Sequence, residues 1–358
     1  MTTLIKKHTD GCDFTLVLDE KRLGTEITLL QLTDTQIIDE SQSRTKERLG
    51  HDERTAWSRD NIAKNCYNHI RSLVAQSHPD FIFFTGDAVY GSFDDSGEIF
   101  ADFIRFMESL KTPWTMVFGN HDNESKIGVE RQCEMLENSE YCLFGRGNTS
   151  GNSNFTVGIS CGTQLKRVLY MLDSNGCIAD KGIHKDQLGY MCKCGEAVQQ
   201  KHGNIPGFMA FHIPVDIFHK AEYEKGYSSP DSPNYILGVD STAKDGDFGF
   251  NLEEAKYASP YIVTDDSFEK SLSYCRIDGI FVGHCHKIAS CINYRRMKLV
   301  FGLKTGQYDY HVEGQLGGTV ITLRPNSDDF KVHYLPSLVP HGPFPAKGSV
   351  YTNNFLVE

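Results

Sequence analysis

An α/β fold built on a parallel sheet with crossover helices is predicted by three observations. Apolar β-prone runs alternate with stretches of helical period, prolines separate helices from the strands that follow, and chemically active side chains recur just behind strand ends. The first run, Thr28 to Leu32, ends at Thr33-Asp34 and so places a carboxylate at a strand's C-terminal end, where α/β folds bind ligands. Ala63, Cys66, Tyr67, Ile70, Leu73 and Val74 then recur at helical spacing, and Pro79 stops that helix before the strand Phe81-Ile82-Phe83-Phe84. The unit repeats. Asp95 to Glu98 reads as an N-terminal cap, and Phe100, Phe103, Ile104, Met107 and Leu110 line one helical face. Pro113 then breaks the helix, and Trp114 to Phe118 reads as the next strand. Two successive strand–helix–strand units imply parallel strands.

Further strands are expected at Val168 to Leu172, Phe208 to Phe211, Gly279 to Val282, Leu299 to Phe301, Thr319 to Leu323 and Phe330 to Tyr334. Between Tyr223 and Asp266 the Gly, Ser, Pro and charged residues predict long loops over the active face. Residues 1–358 are expected to form one catalytic unit with a core at about 25–336 and a surface tail at 337–358.

Composition excludes several classes. At 39% hydrophobic and 23% charged residues the chain has ordinary globular content, and no apolar run is long enough for a membrane helix. A formal charge of −11 repels duplex nucleic acid, while an anionic small substrate can still enter a locally cationic pocket. The eleven cysteines lack framework spacing, which predicts mostly reduced, buried thiols. Cys192-Lys193-Cys194 lacks the two-residue gap of a zinc half-site. No apolar segment follows the basic start, so a cytoplasmic chain is expected, or a secreted one if the N-terminus is truncated. Asn-x-Ser/Thr triplets begin at Asn123, Asn148 and Asn154.

The chemistry lies in Asp34, Gly86-Asp87-Ala88-Val89-Tyr90, Gly119-Asn120-His121-Asp122, His212 and Gly283-His284-Cys285-His286. Carboxylate, amide and imidazole donors from several strand ends suit two cations held about 3.5–4 Å apart. Asp87 is the candidate bridge. One metal takes Asp34, Tyr90 and His286, and the other takes Asn120, His212 and His284. Rings at alternate positions of an extended segment share a side, so a turn must aim His284 and His286 at different metals, and Gly283 is expected to supply it. Asp173 reads as the cap of a loop, and His51, His69, His78, His184 and His202 as solvated or structural residues.

These motifs resemble those of the calcineurin-like metallophosphoesterases, and within them the purple acid phosphatases, over Leu29 to Gln307. The superfamily pattern runs Asp-x-His, Gly-Asp, Gly-Asn-His-Asp or Glu, a lone His, and Gly-His-x-His. The first block here is Asp34-Thr35-Gln36, without its histidine, while Tyr90 stands where the purple phosphatases carry a tyrosinate on iron. Those phosphatases usually have Gly at position 36, so Gln36 bonds substrate or water, or serves a structural role.

The resemblance implies two mixed β-sheets packed as a sandwich and flanked by helices. It also implies Fe(III) at the Asp34/Asp87/Tyr90/His286 site and Fe(II), Zn or Mn at the Asp87/Asn120/His212/His284 site. The implied reaction is hydrolysis of a phosphate monoester, on a small phosphorylated compound or phosphoprotein, by a metal-held hydroxide. His121 is the implied general acid, oriented by Asp122. His219 resembles the substrate-side histidines of purple phosphatases, at a different spacing. Two alternatives stay open: a phosphodiesterase or nucleotide pyrophosphatase with two divalent metals, and a non-catalytic protein-binding scaffold, as in the retromer subunit.

Overall fold

The computed structural model describes residues 3–5, 11–39, 62–90, 96–176, 180–228, 234–238, 244–253 and 262–339. The tail expected at 337–358 lies almost wholly outside them, as do Asp95 and His51. In chain order the strands are β1 (Thr3–Ile5), β2 (Phe14–Leu18), β3 (Ile27–Leu32), β4 (Phe81–Phe84), β5 (Trp114–Met116), β6 (Phe155–Cys161), β7 (Gln164–Met171) and β8 (Gly207–Ala210). They continue as β9 (Tyr235–Gly238), β10 (Phe248–Asn251), β11 (Ile277–Val282), β12 (Ile288–Tyr294), β13 (Met297–Phe301), β14 (Gly317–Leu323) and β15 (Phe330–Pro336). The helices are α1 (Ile62–Ser77), α2 (Ile99–Ser109), α3 (Val129–Glu137), α4 (Lys185–His202), α5 (Asp216–Glu224) and α6 (Asp266–Tyr274).

Two mixed sheets result, one of ten strands in the order β1-β2-β6-β7-β8-β11-β13-β12-β10-β9 and one of five in the order β15-β14-β3-β4-β5. The two strand–helix–strand units are there as expected: β3, β4 and β5 run parallel, joined through α1 and α2. The second sheet runs parallel through β7, β8, β11 and β13, so both sheets send strand C-termini to the same edge of the sandwich. Their apolar inner faces interlock through aromatic edges. Phe83 meets Phe281 with ring centroids 5.5 Å apart, and Phe208 meets Phe330 at 4.6 Å. Polar struts also cross the layers: the buried Gln31 donates from Nε2 to the carbonyl of Val282 at 3.0 Å, and the Tyr334 hydroxyl donates to the carbonyl of Phe301 at 2.9 Å.

Several expectations need correction. The stretch between Tyr223 and Asp266 contains β9 and β10, which extend the large sheet rather than forming loops alone. The start of α2 has Glu98 as its cap residue with no side-chain cap bond, and Ser96 Oγ instead accepts from the Glu98 N–H at 3.1 Å. The described cysteines are all free thiols, and all but Cys192 are buried, so the reduced-core expectation fits them. Asn154 cannot be a glycosylation acceptor in this fold. Its side chain is fully buried, donating to Ser150 O and accepting from Asp173 N and Gln187 Nε2.

Candidate metal centre

Five strand ends supply the site. Asp34 follows β3, Asp87 follows β4, Asn120 and His121 follow β5, His212 follows β8, and His284 and His286 follow β11. Ligand atoms of Asp34, Asp87 and His212 lie within 4.8 Å of one another, and all three side chains are buried. His212 Nε2 stands 3.3 Å from Asp87 Oδ2 and 3.1 Å from Asn120 Oδ1. Its other ring nitrogen is 2.7 Å from the Thr85 carbonyl, which fixes the ring and leaves Nε2 to face the centre. His284 packs edge-on against His212 with centroids 5.1 Å apart. His286 Nε2 lies 3.3 Å from Asp34 Oδ1.

Backbone geometry aims these groups. Asp34, Gln36, Asp87 and His284 all have left-handed φ, of 52°, 45°, 54° and 71°, a conformation costly for non-glycine residues unless surrounding bonds enforce it. The turn between the two imidazoles is therefore made by His284 itself. Gly283 serves a different need from the one expected: a Cβ there would fall 2.1 Å from Thr33 Oγ1 and 2.7 Å from Asp34 Oδ2. Gly119 is constrained likewise, since its Cβ would sit 2.0 Å from Asp87 Oδ1.

Asp122 does not orient His121. Its carboxylate accepts the N–H groups of Asp87 and Gly119 at 2.8 Å, Ala88 at 2.9 Å and Val89 at 3.2 Å, tying the Asp87 loop to the Asn120 loop. The partner of the His121 ring is Glu124, whose Oε2 is 3.0 Å from Nδ1. Tyr90 stacks on the opposite resource of that ring, its face, with centroids 4.2 Å apart and planes at 22°. His219 is exposed on α5, outside the buried ligand group. Asp173 caps its loop as expected, accepting from Asn152 N and Asn175 N at 2.8 Å each. Three neighbours had no place in the motif reading. Glu124 lies three residues beyond His121, and Lys304 and Asp309 lie on the loop after β13. Asp309 Oδ2 faces His286 Nδ1 at 3.5 Å.

The charges are strongly interdependent. Burial would raise the Asp34 carboxyl, but His286 and the His212 charge outweigh it and hold it near 2. Asp87 is driven down against the same burial by His212 and His121. Burial opposes the His212 and His121 protons, yet Asp87 foremost, with Glu124 in the case of His121, lifts both to about 9. Burial and the His212 charge push His284 down to about 3. Burial, then the Asp87 charge, raise Asp122 to about 7 against its N–H bonds.

Two buried anions thus demand positive charge, and imidazolium protons meet the demand where cations could. The donor set fits such cations. Asp34 Oδ1 is buried without a well-formed hydrogen bond, and carboxylate, amide and imidazole donors suit Zn, Mn or Fe.

A sandwich of two mixed sheets carries a buried Asp–Asp–His group at its strand ends, with the donor chemistry to hold metal ions. The family model of the calcineurin-like phosphoesterases matches residues 27–287, and the chain belongs to that family. Its members work with two metal ions. Among curated relatives, a probable inactive purple acid phosphatase 28 of Arabidopsis thaliana is 36% identical over 279 residues, 70% of this chain and 64% of that protein. A probable inactive purple acid phosphatase 14 of the same plant is 23% identical over 283 residues, 71% of this chain and 64% of that protein. Phosphatase DCR2 of Saccharomyces cerevisiae is 31% identical over 240 residues, 62% of this chain and 38% of that protein. The chain therefore spans less than two thirds of the length of these relatives. The purple acid phosphatase PPD1 from yellow lupin (Lupinus luteus) shares the fold, with a TM-score of 0.52 at 12% identity, covering 90% of this chain and 53% of that one.

Proposed function

We propose that the chain is a phosphatase that hydrolyses phosphate monoesters on small compounds or phosphoproteins, with residues 25–336 acting as one catalytic unit. The observation that carries this reading is the convergence of Asp34, Asp87 and His212 from three strand ends, with His121 beside them. Asp34 and His286 would hold one cation, Asn120, His212 and His284 the other, and Asp87 would serve both. When bound, the cations supply Lewis acidity toward phosphoryl oxygens and lower the pKa of water.

The remaining work belongs to the protein. The His121 backbone N–H donates to Asp87 Oδ1 at 2.9 Å, which ties the acid's backbone to the shared carboxylate. Glu124 on Nδ1 leaves Nε2 of His121 to carry the proton a leaving alkoxide requires. Three plant relatives are named probable inactive phosphatases, yet here Asp34, Asp87, Asn120, His121, His212, His284 and His286 are all present.

Turnover of nitrophenyl phosphate against the bis-nitrophenyl diester, on chelated protein resupplied with Mn²⁺ or Zn²⁺, tests the proposal. Monoester preference supports it, diester preference favours the phosphodiesterase alternative, and metal-independent or absent turnover rejects both. We propose divalent ions on both sides, because Tyr90 is already positioned by its stack on His121. Iron with Tyr90 as its tyrosinate is the second reading, favoured by the place of Tyr90 three residues after Asp87. A visible charge-transfer band in the purified protein would establish it.

A further inference from the structure

The loop after β13 holds a cation that the chemistry above leaves unused. Lys304 is 2% exposed, and its Nζ donates to the carbonyl of Asp34 at 2.8 Å and to the carboxamide oxygen of Gln36 at 3.2 Å. Among the described residues no carboxylate lies in ion-pair contact with it. A buried ammonium with only neutral acceptors is costly, and burial lowers the Lys304 pKa, with the charges of Asp34, Asp309 and Asp87 offsetting that only in part from longer range.

Gln36 extends the arrangement. Since Lys304 occupies its oxygen, its amide nitrogen faces the other way and donates to Asp87 Oδ2 at 3.3 Å. This residue stands two positions after Asp34, where an Asp-x-His sequence would present an imidazole lone pair. Here the same place offers no lone pair, because Lys304 holds the carboxamide oxygen and the N–H is turned to Asp87 Oδ2, the oxygen that also faces His212. A missing donor and a nearby ammonium both weaken a cation beside Asp34. The other position keeps three donors besides the shared Asp87, namely Asn120, His212 and His284, with the Asp87 backbone N–H held by Asp122 and the His212 ring by Thr85.

We propose that Lys304 and Gln36 make the two cation positions unequal: the Asp87–Asn120–His212 side holds a divalent ion tightly, and the Asp34–His286 side holds one that exchanges unless phosphate is present. Phosphate supplies both the negative charge and the oxygen donors that the Asp34 side lacks. The inference rests on the two-cation reading above.

Calorimetric titration of the chelated full chain with Mn²⁺, with and without inorganic phosphate, tests it. The wild type is expected to show two classes of binding separated by at least about tenfold, with phosphate narrowing the gap. Lys304→Met removes the charge and frees the carboxamide to turn its oxygen inward, and Gln36→His restores an imidazole. Each should tighten the weaker class by about tenfold or more and leave the tighter class nearly unchanged. Melting of each variant in chelator reports folding separately, and Gln36→His, which keeps Lys304, carries the test if Lys304→Met fails to fold. Two equal classes in the wild type, or a wild-type gap retained in the folded variants, would overturn the inference alone. A folded wild type that binds no Mn²⁺ would overturn the two-cation reading with it.

Discussion

The two halves of the metal centre are buried alike but built differently. On the Asp87 side, support comes from within the motifs: Asp122 gathers four backbone N–H groups, and Thr85 steadies His212 from the strand end just before Asp87. On the Asp34 side, support comes from far along the chain, since Lys304 grips the Asp34 carbonyl and Asp309 faces the outer nitrogen of His286. Short-range support is visible in a sequence pattern. Long-range support depends on where β13 delivers its loop, and it adds charges that no motif announces.

The largest break in this comparison should come from Asp87→Asn, which removes the carboxylate shared by both halves. Loss of bound metal by elemental analysis and a fall in turnover of about 10²–10³-fold or more are expected. A variant that keeps both ions would show that the halves are independent. Next, His121→Ala should retain metal while losing about 10²–10⁴-fold in turnover on alkyl phosphates, and less on nitrophenyl phosphate, whose leaving group needs little protonation. Equal losses on the two substrates would argue against proton donation.

Asp309→Asn sharpens the contrast. It should weaken divalent binding on the Asp34 side by about 10–100-fold, the usual effect of removing a carboxylate behind a ligating histidine, and spare the Asp87 side. Equal weakening in both classes of a Mn²⁺ titration would dissolve the distinction.

The pH dependence of stability gives a smaller effect. In chelated protein His212 and His121 bind protons up to about 9, above the ordinary 6.5, so their contribution is complete below about 6.5 and is lost as pH rises through 9. His284, held near 3, acts oppositely, and its contribution disappears as pH falls from 6.5 toward 3. Chelated protein should therefore melt highest near neutrality, and Mn²⁺ should raise the melting temperature most on the alkaline side. A metal-induced shift that is constant from pH 6 to 9 (about the window of these groups) would contradict the assignment. Smallest of all, His219→Ala should change stability by less than about 0.5 kcal/mol and leave turnover nearly intact, as suits an exposed helical position. A large rise in KM would return it to the substrate side.

Legibility followed the strength of local signal. Phe81–Phe84 was readable to the residue because four large apolar side chains flanked by Pro79 and Gly86 admit few other structures. Helix α4 was not foreseen. Its two glycines and scattered polar residues blur the helical period, and Gly195 is there because Cys275 Sγ would lie 2.9 Å from any Cβ. Likewise β9 and β10 are four residues each and gain their order from pairing, β10 against β12 and β9 against β10, rather than from their own composition.

The order of Asp34, Asp87, Asn120, His212, His284 and His286 behind apolar runs was enough to state the family and its candidate ligands, because donor chemistry and strand-end placement are both properties of short segments. Folding alone decided the partners of those groups: that Glu124 rather than Asp122 meets the His121 ring, that His284 makes its own turn, and that Lys304 lies under Asp34 some 270 positions earlier in the chain. Such contacts arise from the register and packing of two sheets, and a hydrogen bond acts over a few ångströms of space whatever the length of chain between its ends.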